Sequence, residues 1–402
     1  MDIRPGQVVG LCAFALLCTG VLMVNSADMM VSRVQDASDV VASMTLGSVL
    51  TSRAAMYMGL ALLALFAGSL LVPVRSLSAV ARSGTFRGMG VLPLLLIGAA
   101  AIIAFCGLAY MPGIGDPRNG SHRWIKLGSK ELSMQPSEVA KWLFIPLLAW
   151  YCTVRASRLG AFFTGLVPAM VAVGGVAGFV LIEDLGTGVL IGAAACVVLV
   201  SAGAKWWHFA LPGAVAAGGV VAAIMTNDYR QNRVKAFLNP YQDPEGIGFH
   251  TIQSLVAIYN GKGVGTGLGE GIQKRGYLPE DRTDYIFAVI CEETGIAGAG
   301  LVLALFLGLL WAGMSIARSE RDPFLRLWSL GIIATIGMQA VMNLLVVTGL
   351  APAKGIALPF VSYGGTGWIL TAFSIGVLVA IDRTRAATET SADESPTPLV
   401  AA

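Results

Sequence analysis

Long apolar runs separated by polar connections dominate this chain. Ten of them read as membrane spans, at roughly 7–24, 54–74, 90–110, 138–152, 161–182, 186–203, 208–226, 285–313, 326–348 and 364–382, a span needing about 20 mostly apolar residues. The fourth and sixth are the least distinct, being short or poorly separated from a neighbour. Helices satisfy the backbone of such runs without water, so an all-α integral membrane protein of about ten transmembrane helices is predicted. The first run lacks a small-residue cleavage site followed by a soluble domain, and is read as a retained span rather than a removed signal.

The connections set the orientation. With the N-terminus in the cytoplasm, Arg75, Arg82, Arg87, Arg155, Arg158, Lys205, Arg318, Arg321 and Arg326 fall on the inner side, and Arg383 and Arg385 follow the last span. Short inner loops are basic in membrane proteins, which places both termini inside. Residues 1–383 then form one membrane domain, with a large extracytoplasmic loop at 227–284 between helices 7 and 8. Residues 384–402 are small, polar and Pro-containing, and read as a disordered cytoplasmic tail.

Composition agrees. Of 402 residues, 55% are hydrophobic and 13% charged, against about 25% charged in soluble domains; the mean hydropathy is +0.73. A net charge of +3 gives no reason to expect nucleic-acid binding. The six cysteines lie in or beside apolar runs without a CxxC pair and read as small hydrophobes. His122, His208 and His250 match no metal motif. Basic residues collect on the opposite face, in 111–137 (Arg118, Arg123, Lys126, Lys130) and in 227–284, where seven Lys and Arg face seven Asp and Glu. They read as the seat of an anionic ligand or as solvated loop charges.

Five stretches carry candidate chemistry. In "GSHRWIKLGSKELSMQPSEVAKW" (120–142), Pro136 suits a first helical turn. Glu138 and Lys141 then share one face, as a capping ion pair or as part of a polar cavity inside the bundle. In "LIEDLGTGVL" (181–190), Asp184 caps the next helix or meets Lys141 across the bundle. The glycine run "GKGVGTGLGEG" (261–271) follows no strand and reads as a turning loop rather than a nucleotide site. "QKRGYLPEDRTDYIFAVICEETG" (273–295) places Asp284 at the start of the eighth span, as a helix cap or as a partly desolvated general base. The Pro- and Gly-rich stretch 343–368 reads as a re-entrant segment, with Lys354, Ser362 and Tyr363 facing the cavity it lines.

Four blocks, "HRWIKLGSKELSMQPSEVAK", "EDLGTGVL", "YLPEDRTDYIFAVICEETG" and "LPFVSYGGTG", resemble in order and spacing the SEDS family of peptidoglycan glycosyltransferases, RodA and FtsW. "QKRGYLP" and "PAKGIALPF" look more like its division branch. The resemblance implies ten helices and polymerisation of lipid II into glycan strands at the outer face of the bacterial cytoplasmic (inner) membrane. It implies Asp284 as the catalytic acid, Arg123–Trp124 as the outer-loop pair, and Glu138, Lys141 and Asp184 as cavity residues. It also implies a class B penicillin-binding transpeptidase and other divisome or elongation-complex membrane proteins as partners. The chain departs from the family's usual residues at Glu183 (Pro), Arg282 (His) and Thr366 (Ser).

In such a reaction a sugar 4-hydroxyl attacks the anomeric carbon of a lipid-linked donor, and undecaprenyl diphosphate leaves. Asp284 is the candidate base, or the ligand of a divalent cation, Mg or Mn, bridging the diphosphate. Arg123, Lys130, Arg230 and Arg233 are candidate diphosphate clamps, with Trp124, Lys354 and Ser362 beside the substrate. Arg282, two residues from Asp284, either weakens the base or points to phosphate. A lipid II flippase using the Glu138, Lys141 and Asp184 cavity, and a non-catalytic scaffold for the transpeptidase, are the alternatives.

Overall fold

Each apolar run contains a long helix in the computed structural model, which describes residues 3–35, 46–86, 88–117, 121–127, 129–274 and 277–393. The helices are α1 (Pro5–Gln35), α2 (Arg53–Leu71), α3 (Val91–Gly107), α4 (Pro136–Val154), α5 (Val167–Glu183), α6 (Leu185–Ser201), α7 (Ala210–Met225), α8 (Ile286–Ser319), α9 (Pro323–Val347) and α10 (Thr366–Asp393). Eight of these regions are long and apolar enough to cross a membrane by that measure alone. The other two are α4, with Glu138 and Lys141 in its first turns, and the 17-residue α6. They are the two least distinct runs in the sequence. The protein is a multi-pass membrane protein.

Local signals fix the ends. Pro136 opens α4, Asp184 caps α6 by accepting from the Thr187 N–H at 3.0 Å, and Asp322 caps α9. Helix α10 runs on to Asp393, into the stretch read as a disordered tail. No Gly or Pro interrupts that stretch before Pro396, so nothing in it stops the helix. Residues 394–402 lie outside the described residues.

Helix α10 packs along α2 and α1 along α8, while α9 packs against α4, α6 and α8. The α2–α10 crossing is close because two glycines meet there. A Cβ on Gly68 would sit 2.3 Å from the Phe373 carbonyl, and one on Gly376 would sit 2.2 Å from that of Leu65. Helix α7 differs from the rest: none of its residues is buried, so most of its apolar surface is left for lipid.

Two non-helical segments shape the face that bears the long loops. From Thr348 to Gly365 the chain runs without helix, yet Leu358, Phe360, Val361 and Ser362 are fully buried. This segment packs so tightly on α1 that a Cβ on Gly20 would lie 2.4 Å from the Phe360 carbonyl. The glycine run wraps the first turns of α8, where Gly295 (φ 62°) breaks the helix. N–H groups of the run and of the two residues after it are used internally: Gly269 donates to Glu293 at 3.1 Å, and Ile272 and Gln273 donate to Glu292 at 3.1 Å. The loop is an anion nest filled by the protein's own carboxylates.

Candidate active site

The residues before α8 are held by their backbone. The Asn343 side chain, on α9, donates from Nδ2 to the carbonyls of Asp284 and Ile356, each at 2.8 Å. Ser362 Oγ donates to the Thr283 carbonyl at 2.5 Å, and the Tyr363 N–H to the Arg282 carbonyl at 2.9 Å. The re-entrant segment therefore acts as a splint for 282–284. Ser362, expected beside the substrate, is spent on this splint; its Oγ also accepts from the Leu358 N–H at 2.7 Å.

The Asp284 side chain is placed differently. The N-cap of α8 is Tyr285, without a side-chain cap, so the capping role open to Asp284 in the sequence is not the one it takes. Its carboxylate lies over the re-entrant segment, where a Cβ on Gly355 would be 3.3 Å from Oδ2. Burial pushes this carboxyl up to about 7; Glu280 and Asp184 add to the rise, and Arg233 and Arg123 oppose it. The carboxylates and cations picked out from separate loops thus act on one another.

Arg233 is oriented by three contacts. Its Nη1 donates to the Ala353 carbonyl at 2.8 Å, its Nη2 to Tyr229 Oη, and its guanidinium stacks 4.5 Å from the Tyr229 ring centre. Arg230, one turn earlier on the same loop helix (Asp228–Leu238), points elsewhere. Its guanidinium donates to the Ile182 carbonyl at 2.7 Å and the Ala223 carbonyl at 3.2 Å, tying together the ends of α5 and α7. Arg230, expected as a clamp, makes this structural tie here.

Arg123 lines a small, open cleft with Ser137, Glu183 and Asp184. Its neighbour Trp124 is half-buried in the loop, its carbonyl accepting from the Asp116 N–H at 2.9 Å. Lys130 lies in the strand Ser129–Met134, and its side chain is outside the described residues. Lys354 sits close enough to Asp184 for their charges to interact.

Lys141 is buried and does not meet Asp184. Its Nζ donates to both Glu138 oxygens at 3.0 and 2.9 Å and to Gln339 Oε1 at 2.8 Å. Gln339 in turn donates to the Ala357 carbonyl at 2.8 Å, so the pair braces the re-entrant segment from below. Asp184 caps α6 and accepts from Gln135 Nε2 at 3.0 Å. Arg282 is ion-paired to Asp28 at the end of the first span and lies 3.9 Å from Asp281. Its charge is directed away from Asp284.

One neighbour escaped the sequence reading. The His250 ring stacks on Tyr285, with centroids 6.1 Å apart, and burial and Arg233 hold its pKa below the usual imidazole range. No metal motif marks it, and only folding of the large loop brings it to Asp284's neighbour. Among the described residues, no three His, Cys, Asp or Glu side chains converge. A divalent ion here would take Asp284 as its ligand and complete its shell with substrate oxygens and water, as magnesium often does.

Residues 7–387 match the cell cycle protein family of FtsW, RodA and SpoVE. Over 279 residues the chain is 41% identical to Stage V sporulation protein E of Bacillus subtilis (strain 168), covering 69% of this chain and 75% of that protein. Over 275 residues it is 40% identical to a probable peptidoglycan glycosyltransferase FtsW of Geobacter sulfurreducens (strain DL-1 / KN400), covering 68% and 73%. A chain from a solved structure described as "Structural coordination of polymerization and crosslinking by a peptidoglycan synthase complex" aligns with a TM-score of 0.63. The identity there is 26%, over 92% of this chain and 98% of that one.

Proposed function

The chain belongs to the FtsW, RodA and SpoVE cell cycle protein family, and from that premise we propose that it is a peptidoglycan glycosyltransferase polymerising lipid II. The observation that carries the reading is the Asp284 carboxyl, on a splinted backbone, with a pKa of about 7 and two arginines acting on it. A base tuned near the working pH combines a useful ionised fraction with real proton affinity.

The acceptor's 4-hydroxyl attacks the donor's anomeric carbon while Asp284 takes its proton. The new C–O bond forms as the bond from that carbon to the diphosphate breaks, and undecaprenyl diphosphate leaves with the electron pair. Arg233 and Arg123 supply positive charge where the leaving group gathers negative charge. The donor is already activated, so no nucleotide is consumed. A divalent ion held by Asp284 is the second role open to this carboxylate, and it would supply further charge neutralisation at the diphosphate.

The loop-bearing face lies outside the cytoplasmic (inner) membrane and both termini lie inside, which the basic residues of the opposite connections support. A class B penicillin-binding transpeptidase is the proposed partner, supported by the likeness to a chain from a peptidoglycan synthase complex. The test is to give lipid II to the purified full chain with such a transpeptidase. Glycan strands are expected. Passage of lipid II across a vesicle membrane with no strand formed would sink the reading in favour of a flippase.

A further inference from the structure

Glu183 ends α5 directly before Asp184, yet its carboxylate serves the loop between α3 and α4. It accepts from Tyr110 Oη at 2.8 Å, from Ser121 Oγ at 2.8 Å and from the His122 backbone N–H at 2.9 Å. The His122 ring lies flat on Tyr110, with centroids 5.3 Å apart and planes at 14°. One carboxylate thus ties Tyr110, just beyond α3, to two consecutive loop residues. The next residue is Arg123.

Among the described residues, Nε of Arg123 is buried without a hydrogen-bond partner, and so is Oγ of Ser137, a residue only 8% exposed that lines the same cleft. A guanidinium has five donors in a fixed fork and a long flexible stem. The loop that carries Arg123 fixes where that stem starts, and so what the fork can reach.

We propose that Glu183 is a positioning residue: by holding Tyr110, Ser121 and His122 it sets the loop so that Arg123 faces the cleft shared with Asp184, where the diphosphate of a lipid-linked substrate binds. This rests on the diphosphate reading of Arg123 given above. Glu183 itself exchanges no proton and touches no substrate.

The test reads binding rather than turnover, using undecaprenyl diphosphate in detergent and the full chain carrying Asp284→Asn. Glu183→Ala should weaken binding about tenfold, the scale expected when a misplaced group loses a charged contact. In an Arg123→Ala background it should add nothing, whereas in an Arg233→Ala background it should cost its full factor. Tyr110→Phe and Ser121→Ala each remove one donor and should show the same pattern with smaller losses, which keeps the test open if Glu183→Ala folds poorly. Losses that multiply with Arg123→Ala, or unchanged affinity in all three pin variants, overturn the proposal. Unchanged affinity in Arg123→Ala alone would instead overturn the diphosphate reading beneath it. Failure of the wild type to polymerise lipid II is a separate result, read in a separate assay.

Discussion

Glu293 and Asp284 are carboxylates nine residues apart on one stretch of chain, and their surroundings are opposite in kind. Glu293 is 1% exposed and saturated: it pairs with Lys274, accepts from Ser26 Oγ at 2.8 Å and takes the Gly269 N–H at 3.1 Å. Lys274 also donates to Ser26 Oγ at 2.7 Å, so α1, the glycine run and α8 meet at one closed knot. Asp284 has its backbone carbonyl bound and its carboxylate set among charges that pull both ways. A buried carboxylate whose lone pairs are filled by the protein holds structure. One fixed by its backbone, with no hydrogen bond to its oxygens among the described residues, is the carboxylate we propose as the base.

The sharpest break in that comparison comes from the knot. Lys274→Met leaves Glu293 buried without its cation and should cost about 3–5 kcal/mol, read as a large fall in Tm and in yield of folded protein. Stability near wild type would show that the knot is dispensable. Lys141→Met removes the partner of Glu138, whose side chain keeps 16% exposure and some access to water. The expected loss is smaller, about 1–3 kcal/mol, accompanied by reduced polymerisation because the brace under the re-entrant segment goes with it.

The pH dependence separates the two carboxylates by a different route. A base must be ionised, so polymerisation should be full above the Asp284 pKa of about 7 and fall as pH drops through it. Arg233 holds that pKa down, so Arg233→Gln should move the acid limb of the rate profile upward, even where overall activity is lower. The smallest effect is expected from Arg282→Gln. Its charge is paired with Asp28, so the acid limb should stay where it is. A clear upward move would show that Arg282 acts on Asp284 after all.

The contrast also shows what the sequence could disclose. Ten helices were legible because hydrocarbon thickness demands long apolar runs, and Asp284 stood out as a candidate because it precedes an apolar run on the face whose loops are rich in cations. The pairing of Glu138 with Lys141 followed from helical spacing alone. Arg230 and Arg233 were not separable, since both are basic and three residues apart. Only the register of the loop helix decides that Arg230 reaches the carbonyls of Ile182 and Ala223 while Arg233 reaches that of Ala353 and acts on Asp284. The role of Glu183 was hidden because its donors come from loop residues 110–122, distant in sequence. Ser362 looked like a substrate hydroxyl because nothing local reveals that its Oγ meets the Thr283 carbonyl.

The most direct measurement compares wild type and Asp284→Asn in one preparation each, scoring thermal stability and lipid II polymerisation on the same samples with the transpeptidase present. Asn removes a charge that burial disfavours, so Tm should hold or rise slightly above pH 7. Polymerisation should fall by about 10²–10⁴. Full glycan synthesis by the folded variant would contradict the assignment of Asp284 as the base.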